Sequence, residues 1–169
     1  MAESGFTALE RQAGLLGQVL TERGLVCATA ESCTGGMISM AITSVAGSSA
    51  WFDRGFVTYT NEAKMAMLGV DAALLAQHGA VSEAVAGAMA RGAVAASQAA
   101  LAVSVSGIAG PGGAVPGKPV GTVCFGVAGG DAPAAVHTQH FSGDRQSVRL
   151  QASVFALKCL IERAQTLRN

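Results

Sequence analysis

Apolar and polar positions along this chain fall into blocks whose period changes from one block to the next. From Phe6 to Arg23 the apolar residues recur every three or four positions, which predicts an amphipathic helix. Leu25 to Ala30 is a short apolar run and predicts a buried strand, followed by a helix over Gly36 to Val45. Gly55 to Thr60 predicts another strand, and Asn61 is a suitable N-cap for a short helix reaching Leu68. Asp71 caps a further short helix, and Ser82 followed by Glu83 opens an alanine-rich helix to about Ala99. Leu101 to Ser106, with Val103 and Val105, predicts a central strand. Thr122 to Ala128 and Ala135 to Phe141 predict two more strands, joined by a hairpin turn at Gly129-Gly130-Asp131. Asp144 then caps a last helix running to Arg163. Strands that alternate with helices, plus one hairpin, predict an α/β fold. The expected form is a three-layer α/β/α sandwich, with a mixed sheet covered by helices on both faces.

Composition narrows the function classes. The chain has 169 residues, a length that suits one domain. Half of them are apolar and 13% are charged, so membrane insertion has to be weighed. The uncharged stretches Ser32 to Phe52 and Gly92 to Gly117 are rich in Ser, Gly, Thr and Ala, and the second holds Pro111 and Pro116. Such segments gain little from lipid, and no basic region followed by an apolar core opens the chain. The expectation is a cytoplasmic protein without a membrane segment. Eleven basic residues balance eleven acidic ones, with no basic stripe or aromatic platform, so nucleic acid is not expected as a partner. Cys27, Cys33, Cys124 and Cys159 fit no zinc spacing, and are expected to be reduced. His137 and His140 are three apart in a predicted strand and point to opposite faces, so with His78 they make no metal site.

The candidate chemistry centres on Ser32, in the run Ala30-Glu31-Ser32-Cys33-Thr34-Gly35-Gly36 between a strand and a helix. A hydroxyl at such a turn has free backbone N–H groups and the positive end of a helix dipole beside it. It can attack a carbonyl while those N–H groups hold the oxyanion, or it can simply cap the helix. Cys33 and Ser48 are rival nucleophiles. Tyr59 closes a predicted strand and Lys64 sits in the first turn of the next helix. If they converge, a desolvated lysine can act as a base, directly or through a tyrosine phenolate. The glycine-rich loop Ser106-Gly107-Ile108-Ala109-Gly110-Pro111 follows the central strand, where open α/β sheets bind ligands. Its spacing is neither a P-loop nor a dinucleotide fingerprint. Arg145 at a helix start opposes the dipole, which suggests a compensating anion.

Several blocks together resemble the CinA C-terminal domain family. They are Ala30 to Gly36, Gly47 to Phe52, Gly55 to Tyr59, Asn61 to Lys64, His78 to Ser82, Ser106 to Pro111, Pro119 to Val123 and Gly143 to Arg145. The resemblance implies a single domain over residues 1–169 with a core from about 8 to 165. It implies an amidohydrolase that deamidates nicotinamide mononucleotide to nicotinate mononucleotide and ammonia in pyridine nucleotide recycling, without metal or organic cofactor. It carries the nucleophile onto Ser32 and the activating pair onto Tyr59 and Lys64. Thr34, Gly35 and Gly36 are expected to supply oxyanion donors. Ser106, Gly107, Ile108, Ala109, Gly110 and Arg145 are expected to hold the nucleotide and its phosphate. Longer family members carry an N-terminal domain of another activity, for which this chain is too short. A non-catalytic nucleotide- or partner-binding module of the competence- or damage-inducible type is the alternative. A homodimer or larger homo-oligomer is expected, with the small-residue helix from Val85 to Ala99 as its contact.

Overall fold

In the computed structural model, which describes residues 5–167, five strands form one mixed sheet in the order β2-β1-β3-β4-β5. The strands are β1 (Cys27–Glu31), β2 (Phe52–Val57), β3 (Leu101–Gly107), β4 (Thr122–Gly129) and β5 (Ala135–His140). The helices are α1 (Gly5–Arg23), α2 (Met37–Thr43), α3 (Asn61–Leu68), α4 (Ala72–His78), α5 (Glu83–Ala95) and α6 (Arg145–Thr166). β1 runs parallel to both β2 and β3, whereas β3–β4 and β4–β5 are antiparallel. The sandwich expected from the sequence is therefore present. Residues 1–4 and 168–169 of the expected domain lie outside the described residues.

Two cores separate along the sheet, as strand alternation requires. Cys27, Val103, Val105, Phe125 and Val127 face α1, α2 and α6, where they meet Leu9, Leu16, Ile38, Leu157 and Leu160. Ala28, Ala30 and Ala102 face α3, α4 and α5, where they meet Leu68, Leu75, Val85 and Met89. β1, β3 and β4 are buried along nearly their whole length, which explains their continuous apolar runs. β5 lies at the sheet edge and is largely exposed, as its polar alternation indicates. Among the described residues no helix is long and apolar enough to cross a membrane.

Several boundaries differ from expectation. β2 begins at Phe52 and ends at Val57, short of Thr60. The N-cap of α3 is Thr60 and not Asn61: its side chain accepts from the Ala63 N–H at 3.1 Å. α5 stops at Ala95, and Ala99 is already on the approach to β3. The small-residue stripe of α5 lies against the chain's own sheet. A methyl group at Gly126 of β4 would fall 2.3 Å from the Ala86 carbonyl oxygen, so glycine alone permits this approach. The hydroxyl of Ser104 on β3 donates to that same carbonyl.

The connections place the site. β1 leaves through α2 toward β2 on one face, and β2 returns through α3, α4 and α5 to β3 on the other. The C-terminal ends of the adjacent parallel strands β1 and β3 therefore send their chains in opposite directions. Open α/β sheets place a ligand crevice at such a point.

Candidate active site

A cavity of about 300 Å³ opens at that crevice. Its lining includes Ser32, Cys33, Tyr59, Lys64, Ser106 and Arg145, drawn from the ends of β1, β2 and β3 and from the start of α6. That volume is at the lower end of the range for small-molecule sites.

Ser32 continues β1 by one residue, with its N–H donating to the Val105 carbonyl of β3 at 2.9 Å. Alternation along the strand then sends Glu31 toward α2 and Ser32 toward α3. Lys64, one turn into α3, meets it there: its Nζ lies 3.1 Å from Ser32 Oγ and donates to the Thr58 carbonyl at 2.9 Å. Lys64 is only 1% exposed. Both of these partners are neutral oxygens, so burial pushes the lysine below its usual pKa. A lysine with a lowered pKa beside a serine hydroxyl can serve as a base to a nucleophile.

Tyr59 does not complete a three-membered set around Ser32. It is 59% exposed at the cavity mouth. Its hydroxyl accepts from Arg145 Nη2 at 2.9 Å, and among the described residues only Lys64 hydrogen-bonds the Ser32 hydroxyl. Arg145 also donates through Nη1 to the Gly110 carbonyl at 2.8 Å. One guanidinium thus ties the loop after β2 to the loop after β3.

Two of the expected oxyanion donors are already engaged. The Gly35 N–H donates to the Ser32 carbonyl at 3.0 Å, and the Gly36 N–H donates to Glu31 Oε2 at 2.9 Å. The Thr34 hydroxyl also donates to Glu31 Oε2. Gly35 and Gly36 serve the turn itself, with φ of 59° and 98°, values that L side chains rarely adopt. From the end of β3 and the loop after it, Ser106, Gly107 and Ala109 line the cavity. Ile108 does not; its N–H and carbonyl pair with the backbone of Thr122 and Gly121. Gly110 contributes its carbonyl to Arg145. The Ser106 hydroxyl donates to the Ala80 carbonyl at 2.7 Å, so it braces the wall from behind.

The rivals of Ser32 fare differently. Cys33 is buried, and loss of solvent pushes its thiol up to about 11, which leaves little thiolate near neutral pH. Ser48 sits in a 3-10 turn over Ser48–Ala50, outside the cavity lining. His137 packs on the Phe155 ring, and His140 bonds the Thr122 hydroxyl on the other face of the sheet.

Two residues of the site escaped the sequence reading. Glu31 is completely buried under the Ser32 turn. Arg149, one turn after Arg145 on α6, donates to the carbonyls of Cys33 and Thr34 at 3.0 and 3.1 Å. The signal for Glu31 was a charged residue ending an otherwise apolar strand. For Arg149 it was only the four-residue spacing from Arg145.

A three-layer α/β fold with a buried serine–lysine pair at its strand switch point defines the class of site. The chain belongs to the CinA C-terminal domain family, which it matches over residues 9–164. It is similar to "Nicotinamide-nucleotide amidohydrolase PncC" of Escherichia coli strain K12, with 53% identity over 169 residues, 100% of this chain and 99% of that protein. A protein of the same name from Enterobacter agglomerans is 58% identical over 143 residues, 85% of this chain and 87% of its own. Among solved structures, the competence damage-inducible protein A (ComA) of Klebsiella pneumoniae superposes with a TM-score of 0.90 at 37% identity, covering 95% of this chain and 99% of that one. The competence/damage inducible protein CihA of Agrobacterium tumefaciens gives 0.89 at 46% identity, covering 92% and 94%.

Proposed function

We propose that this chain is a serine amidohydrolase that converts nicotinamide mononucleotide and water to nicotinate mononucleotide and ammonia. The observation that carries the reading is the buried contact between Lys64 Nζ and Ser32 Oγ. A module that only binds has no use for a desolvated lysine against a serine. Full-length relatives that carry the amidohydrolase name support the substrate.

In the proposed reaction neutral Lys64 accepts the Ser32 hydroxyl proton while Oγ bonds to the carboxamide carbon. The cationic pyridinium ring makes that carbon more electrophilic. With the N–H groups of Gly35 and Gly36 engaged, Cys33 is the turn residue left beside Ser32 in the lining to donate to the oxyanion. One such donor contributes about 3–4 kcal/mol. The carbon–nitrogen bond then breaks, and ammonia leaves with the proton held by Lys64. Water attacks the Ser32 ester, Lys64 takes one of its protons, and Oγ recovers that proton as the nicotinic acid group departs and releases the other to solvent as it ionises. Arg145 at the mouth meets the substrate phosphate, the anion its position against the helix dipole calls for. Tyr59 holds the guanidinium in that place. Incubation with nicotinamide mononucleotide tests the reading: ammonia and nicotinate mononucleotide form in equal amounts, and formation of neither refutes it.

A further inference from the structure

We propose that Glu31 is a positioning residue that fixes the attack geometry of Ser32. The inference rests on the reading of Ser32 as nucleophile. Glu31 is the last residue of β1, and its side chain is completely buried. Strand alternation points it away from the cavity, under the first turn of α2. There its carboxylate accepts from five donors. Oε2 takes the Thr34 hydroxyl at 2.8 Å, the Gly36 N–H at 2.9 Å and the Ile38 N–H at 3.1 Å. Oε1 takes the Ser39 N–H at 2.8 Å and the Ser39 hydroxyl at 2.9 Å.

Among the described residues no cation pairs with this carboxylate. Backbone and hydroxyl dipoles alone offset its burial, and they all belong to residues 34 to 39. The turn from Ser32 to α2 is therefore wrapped around Glu31. Arg149 holds the outer side of the same turn through the carbonyls of Cys33 and Thr34. Carboxylate within and guanidinium without leave the Ser32 backbone one place to sit. The cavity-facing hydroxyl inherits that position.

An amide cannot replace the carboxylate. In Glu31→Gln one of the two acceptor oxygens becomes an NH₂ group, which then faces backbone N–H donors in either orientation. The turn has to shift to relieve them. A displacement of about 1 Å at a reacting group costs about a hundredfold in rate.

The test compares Glu31→Gln with wild type in two assays. In turnover of nicotinamide mononucleotide we expect kcat to fall about a hundredfold with KM within about threefold, as lost orientation predicts. The second assay follows phosphonylation of Ser32 by a fluorophosphonate, in which a serine–phosphorus bond forms and fluoride leaves. The expected result is complete labelling of the variant at a rate constant at least about tenfold lower. A merely unstable variant would label at the normal rate in a smaller fraction of molecules. That result, or kcat within about threefold of wild type in a folded variant, overturns the proposal.

If Glu31→Gln does not fold, Thr34→Val and Ser39→Ala each remove part of the donor set. Both are expected to lower kcat and the labelling rate while KM holds, and unchanged values for both overturn the proposal. Labelling also separates this inference from the substrate assignment. A wild type that labels at Ser32 but releases no ammonia refutes the substrate and leaves the labelling comparison to decide on Glu31. A wild type that does not label, with turnover retained in Ser32→Ala, refutes the nucleophile and this proposal with it.

Discussion

Lys64 Nζ lies 3.1 Å from Ser32 Oγ, a buried contact at the cavity wall between residues 32 positions apart in the chain. Burial lowers the lysine pKa. Deprotonation thus begins below the ordinary lysine value of about 10.4, and the rate should rise with pH through that lowered value. Lys64→Arg keeps the charge but cannot shed its proton. A loss of at least about a hundredfold in kcat is expected there, within the usual range for a general base. Near-normal turnover of Lys64→Arg across the pH range would remove Lys64 from the mechanism.

The same lysine has a cost in stability. The unfolded chain keeps this proton up to about pH 10.4, while the folded protein releases it at lower pH. Stability therefore rises with pH between the folded and unfolded values, and below the folded value the whole penalty is present. Lys64→Met removes the penalty. It should be inactive yet more stable at pH 7 by about 0.5–2 kcal/mol, the usual gain when a functional but destabilising group is replaced. Denaturant unfolding at pH 7 checks this, and a less stable variant would contradict it.

Arg145 joins Tyr59 to the Gly110 loop, and the proposal gives it the substrate phosphate. The side chain is exposed, so Arg145→Ala should leave stability within about 0.5 kcal/mol. KM for nicotinamide mononucleotide should rise at least about tenfold, the cost of a lost charged hydrogen bond. The preference for the nucleotide over its dephosphorylated nucleoside should fall with it. Steady-state kinetics on both substrates gives the answer.

Cys33 adjoins Ser32, but burial pushes its thiol up to about 11. At pH 8 only about one molecule in a thousand carries the thiolate, so iodoacetamide should leave turnover intact in the folded protein. Cys33→Ala should retain kcat within about threefold, as expected for a group outside the chemistry. Rapid inactivation by the reagent with modification at Cys33 alone would reopen the choice of nucleophile.

Element order and layers were legible because β1, β3 and β4 are buried on both faces and read as unbroken apolar runs. Asp71, Ser82 and Asp144 announced three helix starts, and each accepts an N-cap hydrogen bond. Thr60 was passed over for Asn61 because both are good caps, and only backbone geometry separates them. The proximity of Lys64 to Ser32 was an inference from chemistry, because it depends on a crossover that sequence spacing does not reveal. The distance of Tyr59 from Lys64 along the chain likewise says nothing of Arg145, which arrives from α6 and donates to the Tyr59 hydroxyl. Gly35 and Gly36 read as anion donors in the sequence, whereas the Gly35 N–H goes to the Ser32 carbonyl and the anion that Gly36 faces is internal. Glu31 supplies it from the adjacent strand.

The central claim is that Ser32 performs the attack, and ammonia release from nicotinamide mononucleotide by wild type and Ser32→Ala tests it most directly. Wild type should release ammonia in step with nicotinate mononucleotide. Folded Ser32→Ala should retain no more than about one part in ten thousand of that rate, the scale of loss when a nucleophile acting with a base is removed. Undiminished release by a folded Ser32→Ala would contradict the account and move the attacking group away from the Lys64 contact.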